Sequence, residues 1–188
     1  MLFKLLKLPF NVLKSLRRYA EEIIGSSISK KWSKIDKGNI TTVDEASLTD
    51  VLKIYNQNFP NRSEKKLIRY SQLFPNIFYV VKYNGRSVGY CSYYIQPTFS
   101  LIRIKRSAVI FSIAVDRDFS RKGFGEALLR ESIRELKANS IESIWLFVNA
   151  ENNAAIGLYK KIGFESTDII ENMYGEGKNG CKMRLLLN

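Results

Sequence analysis

A β-hairpin signature in the middle of the chain limits the fold more than any other part of the sequence. The runs 77–83 (IFYVVKY) and 86–95 (RSVGYCSYYI) are rich in β-branched and aromatic residues, and only the dipeptide Asn84-Gly85 separates them. Asn-Gly tolerates the positive φ angles that a two-residue hairpin turn requires. The two runs are therefore predicted to form adjacent antiparallel strands.

Strand-like and helix-like segments alternate around this hairpin. A short β-branched run at 39–43 precedes two predicted helices, the first capped by Asp44 or Ser47 and ending near 59, the second at 63–74. The later segments are strands at 107–115, 141–148, 164–170 and 181–187, and helices at 123–138 and 152–162. In a chain of 188 residues with 45% hydrophobic content, this alternation predicts one α/β domain over residues 39–188.

Residues 1–38 have a different composition from the rest of the chain. They hold nine basic and three acidic residues, and so carry +6 of the formal net charge of +12. Apolar residues recur there at helical spacing, at Leu2, Leu6, Leu13, Leu16 and Ile24. The pattern predicts a basic amphipathic helix that Pro9 kinks, followed by a polar linker over 30–38.

Such a helix has several possible partners. It could lie through residues 1–24 on an anionic membrane, at its inner surface, or pack on its own domain or on a dimer partner. Ribosome association is a further, weakly supported alternative. The segment contains no apolar run of the length that a membrane span or a signal peptide needs, so a cytoplasmic protein is expected.

The residue types present exclude several reaction classes. The chain has no histidine, which excludes a histidine general base, Ser/His and Cys/His nucleophile pairs, and histidine-containing zinc sites. Its two cysteines, Cys91 and Cys181, each lie in an apolar strand-like run and are interpreted as buried structural thiols. Proton transfer must therefore use a carboxylate, a tyrosine, a lysine, a thiol or water.

One turn concentrates the candidate chemistry. The segment DRDFSRKGFGEALL places Arg121, Lys122, Gly123 and Gly125 immediately before a predicted helix. Backbone N–H groups, the helix dipole and two cations then converge on a site for a phosphate or pyrophosphate. A plain structural turn is the alternative. A dinucleotide fingerprint is disfavoured because Leu128 occupies the third small-residue position, and the P-loop motif is absent.

A second motif adds specificity. The stretch IAVDRDFSRKGFGEALL is followed by WLFVNAENNAAIGLYKKIGF, and together they resemble the GNAT superfamily of acetyl-CoA-dependent N-acetyltransferases, in particular its RimI branch. The resemblance covers residues 39–188. It implies the GNAT fold, a central mixed, mostly antiparallel sheet flanked by helices. Residues 1–38 lie outside the resemblance and form the N-terminal helical extension that their apolar spacing predicts.

The resemblance also implies the role of each site residue. Backbone groups of the central strand would bind the pantetheine arm, the following turn would hold the pyrophosphate, and one asparagine and one tyrosine would reach the arm and the thioester. The acetyl-CoA-binding residues implied are Ile113, Ala114, Val115, Arg121, Lys122, Gly123, Phe124, Gly125, Glu126, Asn152 and Tyr159. Tyr159 would act as the general acid that protonates the leaving thiolate, a backbone N–H near Val115 would stabilise the oxyanion, and no metal is required.

Three positions depart from the family pattern. Ser120 stands where the pyrophosphate motif usually opens with Arg or Gln, and Phe147 occupies the place of the general-base glutamate. Glu45, Glu151 and a water held by Ser112 are the candidate replacements for the base. In the acceptor region Tyr174 is retained as a substrate-binding residue, but Met183 takes the acidic position between Lys182 and Arg184, which gives the site a basic rim.

These observations predict acetyl transfer from acetyl-CoA to a primary amine, with a protein N-terminal α-amine as the acceptor. The basic rim leaves an anionic small-molecule amine, such as an amino-sugar nucleotide, as an alternative. The missing base leaves a second alternative, a non-catalytic domain that binds acetyl-CoA or serves as a membrane or ribosome adaptor. Tyr93, Tyr94 and Phe99 are further candidates for the wall of the acceptor pocket.

Overall fold

The computed structural model describes residues 10–99 and 104–187. The predictions for Leu2, Leu6 and Pro9, and for the side chain of Phe99, lie outside this part. The helices are α1 (Phe10–Ser29), α2 (Glu45–Asn58), α3 (Lys65–Leu73), α4 (Phe124–Ala138) and α5 (Asn153–Ile162). The strands are β1 (Asp36–Lys37), β2 (Ile40–Thr42), β3 (Phe78–Tyr83), β4 (Arg86–Phe99), β5 (Ile104–Val115), β6 (Ser143–Asn149), β7 (Glu165–Ile170) and β8 (Gly180–Leu186).

The strands of the described chain form one sheet in the order β1-β2-β3-β4-β5-β6-β8-β7. Every neighbouring pair is antiparallel except β5 and β6, which are parallel. The parallel pair follows from the α4 connection, which returns the chain to the same end of the sheet before β6 starts. The predicted mixed, mostly antiparallel sheet is confirmed.

The predicted hairpin forms where expected. β3 and β4 pair up to Tyr83 and Arg86, and the turn residues Asn84 and Gly85 adopt φ angles of 49° and 75°. β4 is longer than predicted, because residues 96–99 continue the pairing with 104–107 on β5. This extension contains Gln96, Pro97 and Thr98, whose sequence does not predict a strand. They are in extended conformation because they pair with the start of β5.

Helices cover both faces of the sheet and fix the two halves of the core. Because side chains alternate along a strand, Phe78 and Val80 of β3 face α2 and α3, where they pack with Val51 and Leu67. The opposite face of the sheet packs against α4, and its core side chains include Tyr79, Val81, Cys91, Leu128, Leu129 and Leu136. Cys91 and Cys181 are buried and unpaired as predicted, and burial raises the pKa of the Cys91 thiol to about 12.

The C-terminal half of α1 is part of the folded body. Gly25 lies so close to β4 that an added Cβ would stand 2.4 Å from the carbonyl oxygen of Ile95. Ser26 donates to the Leu73 carbonyl at 2.7 Å, and Glu22 is buried. By contrast, residues 11–20 are exposed along their whole length.

The segment after α1 is not the polar linker that the sequence predicted. Ile35 is buried in the main core, and Asp36 and Lys37 form β1, which pairs with β2. One apolar side chain among many lysines is enough to anchor the segment once β2 offers a free edge. None of the helices in the described ranges has the length and apolar character required to cross a bilayer.

Candidate active site

The site lies where the sheet splits between its two parallel strands. β5 and β6 pair only over 107–109 and 143–145, whereas each keeps an antiparallel partner on its other side over almost its full length. Beyond Val109 the two strands therefore diverge. A cavity of about 400 Å³ opens between them, with Ile113, Ala114 and Val115 on one wall and Val148 on the other.

A β-bulge helps to shape this wall. The register between β4 and β5 shifts, so that Ser92 faces Ser112 while Tyr93 faces Ile110, and Phe111 is the extra residue. A bulge bends its strand and redirects a side chain. Phe111 is thereby directed into the cavity lining.

The turn after β5 has the geometry of an anion site. Arg121 and Gly123 adopt positive φ angles of 58° and 85°, and α4 begins directly afterwards at Phe124. No side chain caps α4, so the N–H groups of its first turn are left for a ligand at the positive end of the helix dipole. Gly125 in this turn also lines the cavity, which joins the anion site to the space between the strands.

The charged side chains of the turn are largely engaged with the protein. Lys122 donates to the Asp118 carbonyl at 2.9 Å and lies 5.0 Å from the centre of the Phe119 ring. Glu126 accepts from Lys161 at 2.6 Å and from Arg130 at 3.0 Å, and these hydrogen bonds lower its pKa. The contribution of Glu126 to an anion site is therefore its backbone N–H.

Two predicted residues of α5 reach the cavity. Asn152 caps α5, with its Oδ1 accepting from Ala155 N at 3.1 Å, and lines the cavity at the same time. Tyr159 is buried against Phe164, with 5.7 Å between ring centres, and also lines the cavity. Burial raises the pKa of the Tyr159 phenol, so its hydroxyl stays protonated at neutral pH. Its hydroxyl forms no hydrogen bond with any other residue that the structure describes.

The other end of the cavity is formed by residues far from either motif. Tyr174, in the loop between β7 and β8, lines it together with Phe59 and Arg62 from the connection between α2 and α3. Burial raises the pKa of Tyr174, and the nearby Arg62 opposes that shift. Asn58 donates to the Val115 carbonyl at 3.2 Å and so ties the end of α2 to the central strand. Sequence reasoning assigned no site role to Asn58, Phe59 or Arg62, since only the fold brings them to the site.

Among the residues that the structure describes, the cavity lining contains no aspartate and no glutamate. Phe147 is part of the lining, at the place where the family pattern has its general base. Of the three candidate replacements, only Ser112 reaches the lining, with its hydroxyl 2.8 Å from that of Tyr90. Glu45 and Glu151 are exposed and lie outside it.

Neither Tyr93 nor Tyr94, the two predicted wall residues whose side chains the structure describes, lines the cavity. Tyr93 is fully buried beneath α4, where its hydroxyl is 2.7 Å from that of Ser132, and it does not reach the cavity. Tyr94 packs on Tyr70 instead, at 5.6 Å between ring centres. Both residues therefore belong to the core, because strands this central bury both of their faces.

The predicted residues fall into two adjacent groups. The cavity lining contains Ile113, Ala114, Val115, Gly125, Asn152, Tyr159 and Tyr174. Arg121, Lys122, Gly123, Phe124 and Glu126 form the neighbouring turn and the start of α4. An open strand edge, an uncapped helix N-terminus and a protonated phenol thus surround one cleft, an arrangement that can hold a phosphorylated chain and donate a proton at its end.

Comparison with known proteins agrees with this geometry. Residues 48–164 match the acetyltransferase (GNAT) family. The chain belongs to the GNAT family. Acetyl-CoA fits this member of the family, since the uncapped turn of α4 is suited to its pyrophosphate and the cleft between β5 and β6 to its arm. This protein is therefore an acetyl-CoA-dependent acetyltransferase.

Two relatives and one solved structure show what this chain is similar to within the family. The GNAT protein is 30% identical over 163 residues to an N-alpha-acetyltransferase of Sulfurisphaera tokodaii, covering 81% of this chain and 97% of the relative. It is 46% identical over 67 residues to the ribosomal protein bS18-alanine N-acetyltransferase of Escherichia coli, which is 36% of this chain and 45% of that relative. The crystal structure of the Escherichia coli ribosomal-protein-S18-alanine N-acetyltransferase superposes with a TM-score of 0.64 at 27% identity, covering 79% of this chain and 93% of that one.

Proposed function

We propose that this GNAT protein transfers the acetyl group of acetyl-CoA to the α-amino group of protein N-termini. The observation that carries the proposal is the composition of the cavity lining, which includes a protonated tyrosine but no carboxylate. The site thus has a candidate acid and lacks a strong base. The acceptor must therefore supply its own nucleophilic amine.

The proposed reaction is a direct transfer. The neutral amine attacks the thioester carbonyl, the C–N bond forms, and the C–S bond of the tetrahedral intermediate then breaks. The Tyr159 hydroxyl protonates the departing thiolate. The amine nitrogen loses one proton to solvent, and solvent returns one proton to the Tyr159 oxygen, so the protons balance. Backbone N–H groups at the end of β5 stabilise the negative charge on the carbonyl oxygen.

The absence of a base discriminates between amines. An α-amino group with a pKa of about 7.8 is roughly one-third neutral near pH 7.5, whereas a lysine with a pKa of about 10.4 is roughly one-thousandth neutral. Without a carboxylate to take the proton, transfer to lysine would be slower by roughly this ratio. The cavity composition thus favours α-amines.

The names of the relatives support the same acceptor class. The Sulfurisphaera tokodaii relative, aligned over 97% of its length, is an N-alpha-acetyltransferase. The Escherichia coli relative, aligned over 45% of its length, acts on the alanine of a ribosomal protein. Both names refer to acetylation of proteins at an amino terminus or at alanine, and neither refers to a small-molecule amine.

Mass spectrometry of two matched peptide sets tests the proposal. One set begins with a free Ala or Ser and has every lysine blocked, and the other has a blocked N-terminus and one free lysine. With acetyl-CoA, we expect at least about 100-fold faster acetylation of the first set, following the difference in neutral amine. Equal rates, or transfer to lysine alone, would contradict the proposal, and Tyr159→Phe serves as the control for enzymatic transfer.

A further inference from the structure

An arginine without a carboxylate partner stands at the acceptor end of the cavity. The Arg62 guanidinium lies 5.6 Å from the centre of the Phe59 ring and 5.5 Å from that of Tyr174, and all three residues line the cavity. In the described chain Arg62 forms no ion pair. Arg69, seven residues further along, is instead paired with Glu22 at 2.7 Å.

The two aromatic rings position this arginine for a ligand. The guanidinium of Arg62 is attracted by both rings, and because a guanidinium has several N–H donors, donors remain for a ligand beside these contacts. The guanidinium fork matches the two oxygens of a carboxylate. Because Arg62 is held on the cavity wall before anything binds, little conformational freedom is lost when it engages a ligand.

A second cation lies beside the same cavity. The Lys66 ammonium is 5.0 Å from the centre of the ring of Phe111, which lines the cavity, and 5.2 Å from that of Tyr70. Lys66 is half-buried and forms no ion pair among the residues that the structure describes. Lys182, by comparison, already contacts Asp168 at 3.4 Å, whereas neither Arg62 nor Lys66 has an ion-pair partner among the described residues.

From these contacts we propose that the acceptor site selects protein N-termini that carry an acidic side chain in the first or second residue, bound by Arg62. The inference rests on the proposed N-terminal acetylation. The size of the cavity limits the acidic residue to the first two positions of the peptide. A cavity of about 400 Å³ that also receives the end of the thioester arm has room for little more than two residues. Among the described residues, the lining presents the Arg62 cation and no carboxylate, so an acidic side chain is attracted there and a basic one is repelled.

The test compares peptides in which the carboxylate of one aspartate is replaced by the amide of asparagine. Pairs beginning Ala-Asp and Ala-Asn, and Asp-Ala and Asn-Ala, have nearly the same shape and differ in charge. We expect kcat/KM about tenfold higher for the acidic member of at least one pair, mainly through a lower KM, because the carboxylate is bound away from the reacting atoms. The preference should weaken as ionic strength rises.

Variants assign the preference to one side chain. Arg62→Met should bring the acidic-to-amide ratio close to one, and Arg62→Glu should reverse it in favour of a peptide with lysine at the same position. Lys65→Met is the matched control, because it removes one positive charge from an exposed side chain that does not line the cavity, and should keep the ratio. Melting temperatures of all three variants check that they are folded.

The outcomes separate this inference from the proposed function. Efficient acetylation of N-termini with equal kcat/KM for acidic and amide peptides, or a preference that survives Arg62→Met, overturns the inference and leaves the proposed function intact. If no N-terminus is acetylated by protein that still binds acetyl-CoA, the proposed function fails and the inference fails with it. A preference that is lost in Arg62→Met and reversed in Arg62→Glu supports both.

Discussion

A tyrosine can donate a proton to a thiolate only if it is protonated and near the sulfur. Burial raises the pKa of Tyr159, and the residue lines the cavity while its hydroxyl has no partner within the described ranges. We therefore expect Tyr159→Phe to lower kcat by about 100-fold or more, as for loss of a general acid. Initial rates of acetylation, from samples quenched at set times at saturating acetyl-CoA and acceptor peptide, measure this effect.

The matched control for that substitution is Tyr83→Phe. Tyr83 is an exposed tyrosine at the end of β3, with its ring tilted against that of Phe119 and edge-to-face with that of Phe124, and it does not line the cavity. Its substitution also removes one phenol hydroxyl and should leave kcat within about twofold. If both variants retain wild-type kcat, Tyr159 is not the acid.

The pH dependence follows from the same two facts. With no carboxylate in the cavity lining, kcat/KM should rise tenfold per pH unit and level off at the pKa of the acceptor amine, about 7.8 for an α-amine. The raised pKa of Tyr159 means that deprotonation of the acid should not reduce the rate below about pH 10. The profile should therefore have a rising limb and a plateau.

An acceptor with a different amine pKa provides the control for this profile. A peptide that begins with β-alanine has a more basic amine, and its inflection should move up by the difference between the two amine pKa values. An inflection near pH 6 that is the same for both peptides would instead identify an enzymatic base that the cavity lining does not contain.

At the scale of single residues, motif spacing predicted part of the site and missed the rest. Asn152 caps α5 and Tyr159 follows about two helical turns later, so the spacing alone places both on the same side of α5, which faces the cavity. Arg62 and Asn58 are separated from β5 by about 50 residues. Their side chains reach the site only because α2 packs across β4 and β5, which no local pattern encodes.

Among the elements, the turn before α4 is the one whose backbone conformation matters most for acetyl-CoA. Gly123 has a φ of 85°, which a residue with a Cβ adopts at a cost, although no neighbouring atom lies within 4 Å of the added carbon. Gly123→Ala should therefore displace the N–H groups of the first turn and raise the Kd for acetyl-CoA about tenfold. Isothermal titration measures this without turnover.

Gly157→Ala is the matched control for the glycine of that turn. Gly157 lies inside α5, its added Cβ also meets nothing within 4 Å, and its backbone is helical. Alanine is favoured over glycine there, so stability should rise slightly while acetyl-CoA affinity stays the same. Loss of affinity in both variants would show that the effect is not specific to the anion site.

The exposed half of α1 is an element without a partner in this structure. Val12, Leu16, Tyr19 and Ile23 are exposed and recur at intervals of three or four residues, which places them on one stripe of the helix. Lys14, Arg17 and Arg18 lie on the opposite side of the helix, as the spacing of about 100° per residue places them. We propose that the apolar stripe lies on an anionic membrane surface, to which the net positive charge of the helix is attracted.

Vesicle flotation tests that proposal on the full chain. The wild-type protein should float with vesicles of phosphatidylglycerol and phosphatidylcholine, and less so with phosphatidylcholine alone. Leu16→Asp should abolish flotation, whereas Thr49→Asp, the same charge change at an exposed position of α2, should not. Flotation that Leu16→Asp leaves unchanged would contradict the membrane proposal.

Element boundaries were predicted best where a local signal exists. Asp44 caps α2 with its side chain accepting from Ser47 N at 2.7 Å, and Gly163 ends α5 in a left-handed conformation, both as the sequence indicated. β1 was missed, because two residues with charged side chains carry no strand signal and form a strand only against β2.

At the scale of the whole molecule, the order of elements was predictable and the cleft was not. Hydrophobic periodicity and one hairpin signal yield the strands and helices, but the exchange of β7 and β8 in the sheet depends on long-range pairing. The cleft arises because β5 and β6 share only three residue pairs. Beyond these pairs β5 stays paired with β4 and β6 with β8, so the two strands diverge. That competition between strands appears only when the entire sheet is assembled.

The whole molecule also decides where an N-terminal truncation can begin. A cluster around buried Glu22 joins α1 to α3: Glu22 accepts from the Tyr70 hydroxyl at 2.9 Å and pairs at 2.7 Å with Arg69, whose side chain is half-exposed. Asn76 in turn donates to the Trp32 carbonyl at 2.8 Å. A deletion up to residue 38 would remove these contacts and buried Ile35, so a truncation that spares the core should end near residue 20.

This cluster leads to a stability prediction. Glu22→Ala leaves a buried tyrosine hydroxyl without its acceptor and an arginine without its partner, which should cost about 2 kcal/mol. For a chain of 188 residues this corresponds to a fall in Tm of about 4–8 °C. Glu21→Ala, one residue earlier, removes a surface pair with Arg17 at 2.8 Å and should cost less than about 0.5 kcal/mol. Thermal unfolding of both variants measures the two effects. Equal Tm values would contradict the prediction, because Glu22 would then stabilise the protein no more than Glu21 does.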